Sequence, residues 1–339
     1  MKHDKNVTIA DVAKHAGISK STVSQYLNKR FEYMGEETKQ RIRQSIAALG
    51  YSPNVLARSL KQKKTFTIGM IVANILHGFS TQVIRTVEDA CNEQDIHVIV
   101  CNTDEDPQKE QKYVQMLEAK QVDGFIIFPA GDNEELYREL LDKNIPLVFV
   151  DRIVPDLPVN TVLTDNEKAA AMAVDYFTNC GHRRIGLAVP PLKRVMTPRS
   201  ERLSGFQKAM ESHELEKSGM FIYEQSLSAM ADYLSAEFQK EDKPTALLAS
   251  NDLTLIEVLQ FCRQQEMEIG RDVSIISIDD MPLAGVYNPA VTSIEQPAAA
   301  IGEKAAELLF EEMNEGKELS PAVHRYSPVF LERDSVETR

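Results

Sequence analysis

"TIADVAKHAGISKSTVSQYLN", residues 8–28, begins the chain with two short helices and a corner between them. Ile9, Val12, Ala13 and Ala16 are spaced to share one face of a helix. Thr8 ahead of them, with Asp11 three positions later, makes a capping-box pattern. Gly17 suits the left-handed conformation that ends a helix, and Ile18 plugs the corner. Ser19 then caps a second helix whose inner face is Val23 and Leu27, leaving Lys20, Ser21, Ser24 and Gln25 outward. Two short helices about a glycine turn form a helix-turn-helix, whose second helix enters the DNA major groove by its N-terminal end. A third helix, about Glu36 to Leu49, closes a small core with Ile42, Ile46 and Leu49, and Gly50 stops it.

Charge divides the chain in the same way. The 339 residues carry a net −13, yet residues 1–64 hold 13 Lys/Arg against 5 Asp/Glu, a net of +8, and the remainder carries −21. A basic head on an acidic body is expected of a nucleic-acid module joined to a domain with another task. The length calls for two or three units. No apolar run is long enough for a bilayer, and the first thirty residues are polar, so neither a membrane association nor a signal peptide is expected, and the location expected is cytoplasmic. Cys91, Cys101, Cys180 and Cys262 are scattered without a CxxC pair, and the seven histidines lie apart, so no metal or cofactor is expected.

From Thr67 the pattern changes. "TIGMIVA", "HVIVCN", "GFIIFP" and "PLVFV", then "RIGLAV", "TALLAS" and "VSIISID", are short apolar runs separated by amphipathic stretches. They predict two α/β lobes in tandem, each a doubly wound parallel sheet with helices on both faces. Ligands of such sheets bind at the carboxyl ends of the strands, so two facing lobes would place those ends around one cleft. Neither GxGxxG, nor a P-loop, nor GxSxG occurs, so no enzymatic activity is expected.

"VTIADVAKHAGISKSTVSQYLN" at residues 7–28, followed by "LGYSPNVLARSL" at residues 49–60, resembles the head and hinge of the LacI/GalR family of bacterial transcription regulators. The resemblance continues along nearly the whole chain. It implies an all-α helix-turn-helix headpiece at 1–50, a hinge helix and linker at 51–64, and a body at 65–339 like a periplasmic sugar-binding protein. The body's N-lobe would comprise about 65–164 plus 294–325, and its C-lobe about 165–293 plus 327–339. Lys20, Ser21 and Gln25 would face base edges. Thr8, Ser19, Thr22, Ser24 and Asn28 would contact phosphates or cap helices, positioning without specifying. In the hinge, Asn54 starts the short helix, Ala57 lets two hinge helices pack together, and Leu60 wedges into the minor groove.

Cleft candidates follow the strand ends: Asn74, His77, Phe79 and Ser80 after the first strand, Asp151 and Arg152 in "FVDR", and Asp165 and Asn166 at the first crossing. Further along are Arg199 and Arg202, Asn251 and Asp252, Asp279, and Gln296. The resemblance matches Arg202, Asn251, Asp279 and Gln296 to effector contacts, and Phe79 to an aromatic platform. Simpler roles stand beside these: an ion pair between the lobes for Asp151 and Arg152, a helix cap for Asp165 and Asn166, and a structural role for His77.

Carboxylates, amides and guanidiniums suit a polyhydroxylated ligand. Arg152, Lys193, Arg194, Arg199 and Arg202 crowd this region, which points to an anionic sugar acid, since a neutral sugar would leave buried guanidiniums poorly paired. Within the family the chain looks most like regulators that answer to 2-keto-3-deoxygluconate, a sugar acid of pectin breakdown. The expected protein is a homodimeric repressor on a pseudopalindromic operator in double-stranded DNA, gated by a small sugar-type effector. Its alternatives are a regulator answering to a neutral sugar or to a protein coregulator, and, in another class, a solute-binding protein.

Overall fold

Caps and one small core account for the first of two units. The computed structural model describes residues 7–27, 30–32, 34–51, 64–191, 196–215, 217–314 and 320–339. The chain divides into Met1–Thr65 and Phe66–Arg339. In the first unit α1 spans Ile9–Ala16, α2 Lys20–Leu27 and α3 Glu36–Leu49. The Thr8 amide donates to Asp11 Oδ2 at 2.9 Å and the Asp11 amide to Thr8 Oγ1 at 3.4 Å, so two of the donors that a helix start leaves unpaired are satisfied. Gly17 ends α1 at φ 66°, and a Cβ there would lie 2.9 Å from Arg41 Nη2. Val12, Ala13, Val23 and Ile42 are buried together, with Ile9, Ile18, Leu27, Ile46 and Leu49 packed around them. The hinge positions Asn54, Ala57 and Leu60, and also Asn28, lie outside the described residues.

Among the described residues the second unit holds two six-stranded sheets. In the first, β1 (Thr67–Val72), β2 (His97–Asn102), β3 (Phe125–Ile127), β4 (Leu147–Val150) and β5 (Asn160–Thr164) are joined by β11 (Val323–Tyr326), in the order β11-β5-β4-β3-β1-β2. Every pairing in it is parallel. In the second, β6 (Ile185–Val189), β7 (Met220–Glu224), β8 (Ala246–Ala249), β9 (Ser274–Ile278) and β10 (Thr292–Glu295) are joined by β12 (Val329–Leu331), in the order β12-β10-β9-β8-β6-β7. Only β12 runs antiparallel there, against β10.

The central strands are buried throughout: β3, β4, β6, β8 and β9 expose no residue. That is why they read as unbroken apolar runs. A limit between the lobes at residue 294 would cut β10 in two. Ile294 pairs with both Ile278 and Phe330 in the second sheet, so this lobe reaches Glu295. The chain then returns to the first lobe with helix Ala298–Met313, which packs on helix Gly78–Glu93. Gly302 permits the approach, since a Cβ on it would lie 2.8 Å from Thr86 Cβ.

Candidate functional site

The recognition element of the first unit is α2. Ser19 caps it, its Oγ accepting from the Thr22 amide at 3.1 Å. The Ser21 and Thr22 hydroxyls lie 2.7 and 2.8 Å from the same oxygen, a cluster of donors at the helix start. Val23 is fully buried, which fixes the rotation of the helix, and Lys20, Ser21 and Gln25 are then exposed with Thr22 and Ser24 half-buried. Thr8 spends its hydroxyl on Asp11 Oδ2 at 2.6 Å.

In the second unit a cleft lies between the lobes, lined by His77, Phe79, Ser80, Arg152, Arg199, Arg202, Asn251, Asp279 and Gln296, among others. Three of its acids follow strand ends in left-handed backbone: Glu105 (φ 60°), Asp151 (φ 69°) and Asp279 (φ 77°). Such conformations are uncommon for residues other than glycine, and they collect at functional sites. Asn74 does not line the cleft; its Oδ1 accepts from the Leu76 amide at 2.9 Å. Asp165 caps helix Asn166–Asn179 by accepting from the Lys168 amide, and buried Asn166 supports Arg202 from behind. Neither faces the cleft.

Arg202 is 5% exposed. Its Nε donates to Asn166 Oδ1 at 2.9 Å and its Nη1 to Ser250 O at 2.6 Å. Asp279 accepts from Gln296 Nε2 at 2.5 Å, and Gln296 Oε1 accepts from Thr164 Oγ1 at 2.6 Å. Burial pushes the Asp279 carboxyl up, and the charge of Asp252 adds to this against Arg202. Asn251 caps helix Asp252–Gln264 through its Oδ1 and Thr254 N at 2.8 Å, which holds the rest of its amide at the cleft wall. Phe79 packs edge-on against Phe128, with centroids 6.2 Å apart, and belongs to the first lobe's core as well as to the cleft.

Two polar ties cross between the lobes beside the cleft. His77 Nδ1 lies 2.5 Å from Asp252 Oδ1, while Asp252 Oδ2 accepts from the Gly78 amide at 2.9 Å. Burial acts to lower the His77 pKa, but hydrogen bonding to Asp252 and the charges of Asp252, Asp279 and Asp151 outweigh it and raise the value above 6.5. Burial acts to raise the Asp252 pKa, and His77 with the Gly78 amide outweighs it, leaving the value below 3.8. The pair therefore contributes its full stability between 3.8 and 6.5 and loses it as pH rises through the raised imidazole value. Thermal melting of the full chain is expected to fall above pH 6.5 in the parent and to flatten over that range in His77→Asn; parallel pH profiles would show that the pair does not form. His77, Asp252 and Asp279 also bring one ligand atom each within 4.8 Å of one another, a spacing open to a metal ion. Here His77 Nδ1 is bonded to Asp252 Oδ1, Asp252 Oδ2 to the Gly78 amide and Asp279 Oδ1 to Gln296.

The second tie contains a residue absent from the sequence-based candidates. Glu105 Oε1 accepts from Arg152 Nη2 at 2.8 Å, and Arg199 Nη2 donates to Oε1 and Oε2 at 2.9 and 2.8 Å. Arg152 also donates from Nη1 to Pro129 O at 2.9 Å, with Asp151 Oδ2 3.6 Å from its Nε. Burial acts to raise the Glu105 carboxyl, and the two guanidiniums outweigh it and hold it below its ordinary value. The signal that would have found Glu105 was its place just past the carboxyl end of β2; "TDEDPQ" reads as an acidic turn instead. Lys193 and Arg194 lie outside the described residues. Among the described lining residues, three guanidiniums thus meet three carboxylates. The cavity volume is about 50 Å³, space for roughly four waters at 10–15 Å³ each.

Comparison with known proteins agrees with both units. The model of bacterial regulatory proteins of the lacI family matches residues 8–54, and that of the periplasmic binding protein-like domain matches residues 174–336. The probable HTH-type transcriptional regulator EndR of Paenibacillus polymyxa is 45% identical over 97% of this chain and 98% of its own. The HTH-type transcriptional regulator KdgR of Bacillus subtilis is 31% identical over 97% of both. The lac repressor dimer bound to operator and the anti-inducer ONPF shares the fold, with a TM-score of 0.84 over 98% of this chain and 100% of that one at 22% identity. A capped recognition helix, two sheets of parallel-sheet type about one cleft, and similarity along almost the whole length converge: the chain is a DNA-binding transcriptional regulator and belongs to the lacI family of bacterial regulatory proteins.

Proposed function

We propose that the chain is a homodimeric repressor of a pseudopalindromic operator, released or engaged by a small sugar-type effector held between the two lobes of its body. The observation that carries this reading is the cleft itself. Arg202, Asn251, Asp279 and Gln296 converge there from a helix, a helix cap, a strand end and a crossing. Their mixture of forked donors, amides and a carboxylate matches vicinal hydroxyls. Lys20, Ser21 and Gln25 read base edges, Thr8, Ser19, Thr22, Ser24 and Asn28 position the head on phosphates, and Asn54, Ala57 and Leu60 form the paired hinge. A second copy would cover the exposed apolar side chains of Leu283, Val286 and Tyr287 in the loop after β9. The effector acts by changing the lobe arrangement, and with it the spacing of Thr65 and Phe66 between subunits, which selects for or against the paired hinge.

The charge balance favours a neutral sugar. Arginine density alone points to a sugar acid such as 2-keto-3-deoxygluconate and to control of pectin and galacturonate catabolism. That argument weakens once Arg152 and Arg199 are seen paired with Glu105, and Arg202 is left to support it. The test is thermal melting of the full chain against neutral sugars and matched sugar acids. A ligand at about 100 times its dissociation constant stabilises by roughly 2.7 kcal/mol. A rise with neutral sugars supports this reading, and a rise with acids alone restores the sugar-acid one. No rise with either moves a protein coregulator to the front.

A further inference from the structure

Glu105 occupies the position that an acidic ligand would need. Its carboxylate accepts three hydrogen bonds at 2.8–2.9 Å from two guanidiniums, each through its Nη2, and such charge-assisted bonds are the ones a free carboxylate would make with these arginines. The two arginines come from different lobes, Arg152 after β4 and Arg199 from helix Thr197–Ser212, so the pairing exists only where the lobes meet. Asp104 and Glu105 both take left-handed backbone, at φ 54° and 60°, and this turns the chain from the end of β2 into the cleft. The remaining donors of the two arginines are placed as follows. Arg152 Nη1 is bonded to Pro129 O, its Nε is buried without a hydrogen-bond partner beside Asp151, and Arg199 Nη1 lies 3.4 Å from Pro191 O.

A sugar acid entering this cleft would bring a negative charge beside Glu105 and Asp151, and it would have to expel a carboxylate tethered to the protein. A neutral sugar meets neither obstacle, because hydroxyls can bond the outer atoms of the ion pairs without breaking them. We propose that Glu105 is a specificity-determining residue: by satisfying Arg152 and Arg199 together, it sets the cleft to neutral polyhydroxylated ligands and bars carboxylated ones. The proposal rests on the reading of the cleft as a sugar site. It locates the discrimination in one side chain.

The experiment is isothermal titration of the full chain and of Glu105→Gln with glucose, galactose and cellobiose and with glucuronate, galacturonate and cellobionate. The parent is expected to prefer neutral sugars. Glu105→Gln should bind the matching acid at least about tenfold more tightly than the parent does, the gain expected of one charge-assisted contact, with neutral affinity within about threefold. Adding Arg199→Met should erase the gain. Glu105→Ala, which removes the carboxylate without burying an amide, gives a second reading if the glutamine variant melts early. A parent that prefers acids, or variants whose acid-to-neutral ratio is unchanged while neutral sugars still bind, would overturn the role of Glu105 alone. Binding of neither class by any of these proteins would overturn the sugar reading, and Glu105's role with it.

Discussion

Arg202→Ala is expected to abolish the effector response while leaving operator binding intact. The side chain is buried and ties three parts of the second lobe: Asn166 at the first crossing, Ser250 at the end of β8, and by charge Asp279 at the end of β9. Removing it leaves Asn166 Oδ1 and Ser250 O without this donor and takes a positive charge from near the buried Asp279 carboxyl, and each buried group left unsatisfied costs about 1–3 kcal/mol. Effector affinity should fall by about a hundredfold, since a hydrogen bond from a charged group contributes about 1.5–3 kcal/mol. Arg202→Lys keeps the charge but loses the fork, so it should recover stability better than response. The check is operator titration with and without whichever sugar raises the melting of the parent. A normal response in Arg202→Ala would remove this residue from the site. Loss of operator binding without effector would mean that the residue acts on the fold.

A stability effect that owes nothing to charge is expected from Gly205→Ala, a substitution that touches no ligand. Helix Thr197–Ser212 crosses helix Asn166–Asn179 so closely that a Cβ on Gly205 would lie 2.3 Å from Glu167 O and 2.6 Å from Glu167 Cα. Both obstacles are backbone, so no rotamer relieves them. Overpacking of this kind costs about 3 kcal/mol, which for a domain of this size corresponds to a fall in melting midpoint of roughly 5–10 °C. Arg199 and Arg202 ride on the displaced helix, so effector affinity should drop together with the midpoint. An unchanged midpoint would show that the helices are not in this contact.

The two units were legible in the sequence to different depths. The head is written in local terms: its helices are capped by residues within a turn of their ends, and its core is filled from three consecutive short helices. Thr8 with Asp11, Gly17, Ser19 and Gly50 set the helix ends, and the rotation of α2 about Val23 follows from its apolar spacing. The buried strands β1, β3, β4, β6, β8 and β9 stood out because parallel strands covered on both faces read as apolar runs. Strands β5, β7, β10, β11 and β12 did not, since segments such as "NTVLT" and "VHRY" mix polar and apolar residues.

Chain order determined two α/β halves, but it could not show that β11 pairs with β5 after an interval of some 160 residues, nor that β10 stays whole in the second sheet. The site divides in the same way. Strand ends nominate Asn251, Asp279 and Gln296, and the family resemblance adds Arg202 from within helix Thr197–Ser212; all four line the cleft. The partners of the arginines are set by tertiary structure alone. Glu105 and Arg199 are 94 residues apart and meet only because two lobes close on each other. Counting arginines without their counterions predicts an anion site; geometry shows the anion already supplied. Periodicity and capping act over a few residues and can be read from the chain. Charge pairing and close backbone approach depend on which distant segments the cores bring together, and those only the folded molecule decides.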